Sequence, residues 1–245
     1  MAKKKNFSVQ GETVSNVSEL CNKKKFHPHD LISFNPTESQ KKFFKAFHED
    51  VPIIVQDGPA GTGKTFCALY AALSLVFDES SPYHKIIVIR SAVETRGVGF
   101  LPGTLEEKAE AYENPYKTLI SKMTKYNNTY DYIKQLSYFE FMLTSYLRGD
   151  TFDNTIVILD EAQNLDYSEA STVVTRLGEF SRLLVVGDSR QEDLSRKKQV
   201  SGFEQLKKVF NNMPYESTKT ITYTLDDIVR SGIVKEFLKS EYQLI

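Results

Sequence analysis

Gly58-Pro59-Ala60-Gly61-Thr62-Gly63-Lys64-Thr65 fits the spacing G-x-x-x-x-G-K-[S/T] at every fixed position. Glycines at that spacing let successive backbone N–H groups and a helix N-terminus converge on an anion, and Lys64 adds a mobile positive charge. The Thr65 hydroxyl is placed to hold Mg2+ beside the outer phosphates. An acidic pair, Asp160-Glu161, follows downstream. Asp160 would hold the Mg2+ shell, and Glu161 would orient and activate the attacking water. In Gly187-Asp188-Ser189-Arg190-Gln191, Gln191 can hydrogen-bond the terminal phosphate or the lytic water, whereas Asp188 can instead order the turn. Arg230 is either an exposed surface arginine or a fork that offsets charge developing on the terminal phosphate. These residues predict a nucleoside triphosphate site. A glutamate beside the metal aspartate favours hydrolysis over a kinase role, since a kinase must keep water from its phosphoryl donor.

Each of these groups needs an element to position it. Val51 to Val55 is a short apolar run that predicts a buried strand ahead of the glycine-rich turn, and Phe66 to Leu75 predicts the helix after it. Lys85 to Arg90, Thr155 to Leu159, Leu183 to Val186 and Lys219 to Tyr223 read as further strands. Their runs of β-branched residues suit a sheet covered on both faces. Asn35-Pro36-Thr37-Glu38 predicts a helix start, with Asn35 as cap and Glu38 closing a capping box. Asp166 to Glu169 predicts another such box, Phe203 to Phe210 a helix, and Thr224 to Asp227 a cap before the final helices, on the first of which Arg230 would lie. Glu94 to Gly103 reads as a loop, and Asn114 to Leu147 as a helical excursion from the sheet. Its tyrosines 126, 130, 132, 138 and 146 can either stack on bases or pack an amphipathic face. The sum is an α/β fold with a mainly parallel five-stranded sheet and helices on both faces. The adjacent glutamate suggests a RecA-like order 5-1-4-3-2, where strand 1 carries the phosphate loop.

Composition narrows the setting. The chain has 245 residues, enough for one full core, and balances 31 Lys plus Arg against 32 Asp plus Glu. That excludes a strongly basic domain, though not local basic patches. Cys21 and Cys67 form no metal pattern; Cys67 falls on an apolar helix and reads as core filling, which suits a reducing cytoplasm. No apolar run reaches the roughly 18 residues of a membrane span, and the basic N-terminus precedes no apolar signal region. The expectation is a cytoplasmic protein without membrane association. Residues 1–30 are expected to form a flexible basic arm, with Lys3 to Lys5 and Lys23 to Lys25 either solvated or touching a phosphate backbone or neighbouring subunit. Residues 31–245 are expected to form a single RecA-like nucleoside triphosphatase domain with a helical insertion at about 104–147.

The run GPAGTGKT, then IIVIRSAVETRGVGFLPG with LEEK, then SYLRGDTFDNTIVILDEAQN, GDSRQEDL, SGF and DDIVR resembles the PhoH family from about Asn35 to the C-terminus. That family looks like a one-domain relative of superfamily 1 helicases, and its members are ATPases. The short single-domain form with a divergent middle is similar to versions found in bacteriophages, which would place it in a host cytoplasm. The resemblance implies Walker A at Gly58 to Thr65, Walker B with its helicase extension at Asp160 to Gln163, a phosphate-sensing glutamine at Gln191 and a functional arginine at Arg230. Arg90 matches an arginine that members carry after the second strand. Ser91 stands where proline is common and Ser231 where histidine is common, and Glu140 to Ser145 departs from a proline-containing approach. In several helicase families a glutamine placed like Gln40 reads the adenine edge; the alternative is an ordinary exposed helix residue. ATP rather than GTP follows mainly from this resemblance, together with the lack of an N-K-x-D element.

Helicases of that superfamily close ATP between two such domains, and this chain is too short for both. Arg230 therefore either reaches the site of its own subunit or completes a neighbour's, the second choice implying a ring, with a hexamer favoured. ATP hydrolysis would drive binding to, or movement along, RNA or single-stranded DNA, with contacts from Arg90, Arg96 and lysines between Lys117 and Lys125. The alternative is a nucleotide-gated assembly or regulatory ATPase acting on a protein partner, and a metal-dependent nuclease is a weaker third.

Overall fold

A computed structural model describes residues 26–91, 105–126, 128–147, 149–193 and 201–244. Most of the expected N-terminal arm, the glycine-rich loop with Arg96, and Arg148 lie outside the described residues.

The described elements, in chain order, are α1 (Glu38–His48), β1 (Ile53–Asp57), α2 (Lys64–Val76), β2 (Lys85–Arg90), α3 (Leu105–Met123), α4 (Thr129–Gln135), β3 (Phe139–Leu143), β4 (Thr155–Leu159), α5 (Tyr167–Val174), β5 (Arg182–Gly187), the short α6 (Ser189–Asp193), α7 (Gly202–Asn211), β6 (Thr218–Thr222) and α8 (Gly232–Leu244). They build one sheet in the order β3-β2-β4-β5-β1-β6. Every pairing in it is parallel.

Its four inner strands, β2, β4, β5 and β1, carry consecutive apolar residues because both faces are covered there. Ile54, Ile86, Val88, Ile156, Ile158 and Leu184 point into one core, packed by Phe43 and Phe47 of α1, the small-residue face of α2 and Tyr116 and Ile120 of α3. Ile53, Val55, Ile87, Ile89, Val157, Leu159 and Leu183 point the other way, onto Ala170 and Val173 of α5 and Phe203, Leu206 and Phe210 of α7. Cys67 belongs to the first core, where burial pushes its thiol up to about 12.

The expected order of five strands is present as β6-β1-β5-β4-β2, and β3 adds a sixth beyond β2. Phe139 to Leu143 therefore corrects the reading of Asn114 to Leu147 as wholly helical. Its Phe-Glu-Phe-Met-Leu run is short and apolar, so periodicity alone does not separate strand from helix. The open edge of β2 decides: Ile86 to Arg90 pair in register with Phe139 to Leu143, and Phe139 is buried while Phe141 packs against the same core.

Smaller corrections follow local hydrogen bonding. Thr37, not Asn35, caps α1, and Gln40 rather than Glu38 closes the box. Residues 26–30, assigned to the arm, are part of the fold: Phe26 stacks on Phe77 at 5.0 Å. Asp166 and Glu169 form the expected box at α5. Thr224 and Asp227 form one too, but it caps a single 3-10 turn. Tyr130 is core, and Tyr126 and Tyr132 pack edge-on against Phe26; Tyr138 and Tyr146 are exposed. Among the described residues, no helix is long and apolar enough to cross a membrane.

Candidate nucleotide site

The phosphate loop leaves β1 at Asp57 and enters α2 at Lys64. Gly63 caps α2 at φ +78°, a left-handed conformation that side chains with a Cβ rarely adopt. Lys64 is buried, and its Nζ donates to the carbonyls of Gly58 at 2.7 Å and Pro59 at 2.8 Å. Thr62, fully buried, donates its hydroxyl to Pro59 O at 2.9 Å. These bonds fold the lysine back across its own loop, so a phosphate would have to take Nζ from the carbonyls. Burial pushes the Lys64 pKa down, opposed by Asp188, Asp160, Glu161 and Asp57.

The adjacent strands β4 and β5 end beside the loop, because the sheet order sets both between β1 and β2. Asp160 is buried, and its carboxylate accepts from Thr65 Oγ1 at 3.0 Å on one oxygen and from the Tyr116 hydroxyl at 2.7 Å on the other. Burial pushes its pKa up, and the Glu161 charge pushes further; Tyr116, Thr65 and Arg90 pull it back. A carboxylate and a hydroxyl brought together at a buried, negatively charged point are hard oxygen donors of the kind Mg2+ takes. Thr65 and Asp160 therefore fit the metal expected of them.

Glu161 sits at φ +52°, ψ +42°. A non-glycine residue in this left-handed region costs about 1 kcal/mol or more. The strain is held by Gln163, whose Nε2 donates to Glu161 Oε2 at 2.7 Å and to Gln191 Oε1 at 3.2 Å. The Gln163 carbonyl accepts from the Asp188 N–H at 3.1 Å. One carboxamide thus joins the ends of β4 and β5. Asp188 does order its turn, accepting from the Arg190 N–H at 3.1 Å, and it also faces Lys64.

Arg230 lies in the link between the 3-10 turn and α8, not on a helix. A Cβ on Gly61 would stand 3.0 Å from Arg230 Cγ and 3.0 Å from Leu238. The Val229 N–H donates to Gly61 O at 3.0 Å. Arg230 thus borders the phosphate loop of its own chain. Asp227 anchors this link by accepting from Thr37 Oγ1 at 2.6 Å, Ser39 Oγ at 2.7 Å and the Thr224 N–H at 2.9 Å.

Gln40 is buried rather than exposed. Its Oε1 accepts from the Thr37 N–H at 3.0 Å and its Nε2 donates to Thr62 O at 2.8 Å. A carboxamide has one more acceptor and one more donor position, enough for a base edge. Arg90 faces the same cleft, beside Tyr116, Asp160 and Glu161. Lys117 pairs with Asp131 and Lys125 donates to His29 O.

Together Gln40, Ala60, Gly61, Gly63, Lys64, Thr65, Asp160, Glu161, Gln191 and Arg230 line one cleft of about 660 Å³ at the carboxyl edge of the sheet. Phe34, Phe66 and Leu119 give it an apolar wall. Sequence reasoning left out Tyr116, whose only signal was one tyrosine among many. It also left out Gln163 as a structural hub, although the Asp-Glu-Ala-Gln run carried it.

Residues 34–242 match the family model described as PhoH-like protein. The chain is 31% identical over 205 residues to a PhoH-like protein of Bacillus subtilis, covering 83% of this chain and 62% of that one. It is 33% identical over 204 residues to Protein PhoH of Escherichia coli, covering 82% and 56%. A PhoH-like protein of Mycobacterium tuberculosis is 36% identical over 160 residues, covering 64% and 44%. The chain thus spans between 44% and 62% of the length of these relatives. With a complete phosphate loop facing an Asp-Glu pair across a parallel sheet, and a family match over nearly its whole length, this chain belongs to the PhoH-like family of P-loop nucleotide-binding proteins.

Proposed function

We propose that the protein binds ATP with Mg2+ and hydrolyses it, within one ATPase domain that begins near residue 31 and carries the 104–147 insertion. The observation that carries this reading is the Thr65–Asp160 hydroxyl–carboxylate pair with Glu161, Gln163 and Gln191 joined beside it in one cleft. The loop amides and Lys64 bind the phosphates. Magnesium held by Thr65 and Asp160 would neutralise charge on the phosphate oxygens. Glu161, fixed by Gln163, orients water and accepts its proton; Gln191 holds the water or terminal phosphate in line. Arg230 supplies positive charge from the same chain. Gln40 offers its remaining donor and acceptor to the adenine edge, with Phe34 and Phe66 forming the apolar side of the base site.

Hydrolysis would be coupled to binding of, or helicase-like movement on, RNA or single-stranded DNA, gripped by lysines of the insertion such as exposed Lys122. A second reading, a nucleotide-gated switch acting on a protein, is favoured by the exposed apolar side chains Val229, Ile233 and Phe237 next to the arginine link. The same strip supports self-association into a ring, with a hexamer favoured, which light scattering with ATP present tests.

Steady-state ATP hydrolysis with and without single-stranded RNA and DNA is the deciding experiment, with Glu161→Gln as the blank. Stimulation lost in the variant supports the nucleic-acid motor. Glu161-dependent turnover without stimulation moves the reading to the protein switch, and no Glu161-dependent turnover refutes both.

A further inference from the structure

Phosphate-loop chemistry requires a hydroxyl and a carboxylate on the metal. It does not require a tyrosine on that carboxylate. Tyr116 nevertheless comes from α3, in the insertion, and is only 1% exposed. Its hydroxyl donates to Asp160 Oδ2 at 2.7 Å, opposite the oxygen that accepts from Thr65. Arg90 stands beside Tyr116 in the same cleft and lies over the ring of Tyr112, one helical turn earlier, at 5.3 Å. The Tyr116 ring packs against Phe141 of β3 at 5.5 Å. Phenylalanine would fill this apolar space equally well; the hydroxyl is retained in a dry site because it has a charged partner.

Two features give the contact direction. The Tyr116 hydroxyl and Thr65 claim one oxygen each, so the carboxylate plane cannot rotate without breaking one of the bonds. The tyrosine sits on an element outside the phosphate-loop strands, so its position depends on how α3 and β3 seat against β2. We propose that Tyr116 is a positioning residue that aims the Asp160 carboxylate at the nucleotide's magnesium and makes that aim depend on the seating of the insertion. This rests on the nucleotide-site reading above. Removing the hydroxyl should weaken the metal while sparing the loop's own grip on phosphate, since outer partners of metal ligands commonly change metal affinity about 10–100-fold.

The test is equilibrium binding of a fluorescent ATP analogue, titrated with Mg2+ and repeated in EDTA, for wild type, Tyr116→Phe and Phe141→Leu. Tyr116→Phe should raise the Mg2+ concentration for half-maximal tightening about 10-fold, with binding in EDTA unchanged. Phe141→Leu, which loosens the ring and keeps the hydroxyl, should raise it about 3-fold, and it carries the test if Tyr116→Phe fails to fold. Unaltered Mg2+ dependence in both variants overturns the proposal, as does an equal loss of binding in EDTA, which would mark a merely structural role. Nucleotide binding by wild type that ignores Mg2+ removes the metal and this proposal but leaves the nucleotide site standing. Absence of nucleotide binding by wild type overturns both.

Discussion

Replacing Lys207 with Met should loosen the seam between the phosphate-loop strand and the Gln191 turn. Asp57, the last residue of β1, accepts from the Ser189 N–H at 3.0 Å and the Ser189 hydroxyl at 2.7 Å. Lys207 Nζ, from α7, lies 2.7 Å from Asp57 and 2.6 Å from Ser189 Oγ. The ion pair is 17% and 14% exposed, so water screens it little. Breaking a fully buried pair costs about 3–5 kcal/mol; here Asp57 would keep both Ser189 donors, which reduces the loss to about 2 kcal/mol. For a chain of this length that is about 4–8 °C in Tm. The pH dependence has a defined sign. Burial raises the Asp57 pKa, but the bonds from Lys207 and Ser189 outweigh it and hold it below the usual carboxylate value. Burial lowers the Lys207 pKa, and its bonds to Asp57 and Glu204 outweigh that and hold it above the usual lysine value. A depressed carboxylate stabilises above its unfolded pKa of about 3.9, and a raised lysine below its unfolded pKa of about 10.4. Urea unfolding of wild type and Lys207→Met should therefore differ throughout that window and converge as pH falls through the folded pKa of Asp57 or rises through that of Lys207. A difference under about 0.5 kcal/mol at pH 7, or one that persists undiminished at pH 3, refutes the reasoning.

Glu161→Gln should lower kcat for ATP hydrolysis by about 10²–10⁴-fold while nucleotide binding survives, measured by turnover and by fluorescence titration. Gly61→Ala should destabilise by about 1–2 kcal/mol through its φ of +78°. It should also weaken nucleotide binding by displacing Arg230, so an unchanged Kd would contradict the packing of Arg230 on the loop. Asp227→Ala should cost about 2–3 kcal/mol in urea unfolding, because Thr37, Ser39 and Thr224 all lose their acceptor. Burial raises the Asp227 pKa while those donors outweigh it and hold it below the usual value, so its contribution should start to fall near its unfolded pKa of about 3.9 and be lost as pH falls through the lower folded value.

Local chemistry decided what was legible. The phosphate loop was readable because glycine spacing, Lys64 and Thr65 are contiguous, and the strand and helix beside them announce themselves by composition. The Asp160-Glu161 pair was readable because the run Ile156 to Leu159 before it is apolar at every position. The order of five strands came from the RecA-like arrangement that the adjacent glutamate suggested, and the sheet has that order. Where an element depended on a remote partner, sequence reasoning failed. β3 is a strand because the edge of β2 is there to pair with, and Thr37, which caps α1, donates its hydroxyl to Asp227, 190 positions away.

By itself, then, the sequence determined a phosphate loop, an acidic pair at a strand end and a parallel sheet to carry them, because each of these is encoded in neighbouring residues. Only the tertiary structure decided that Tyr116 lies on Asp160, that Gln163 ties Glu161 to Gln191, that Asp227 ties α1 to the arginine link, and that Arg230 borders its own chain's loop. Those contacts join residues far apart in the chain, 44 positions between Tyr116 and Asp160 and 190 between Thr37 and Asp227. A side chain's sequence neighbours do not specify which distant group will share its dry site; the packing of α3 and α1 against one sheet does.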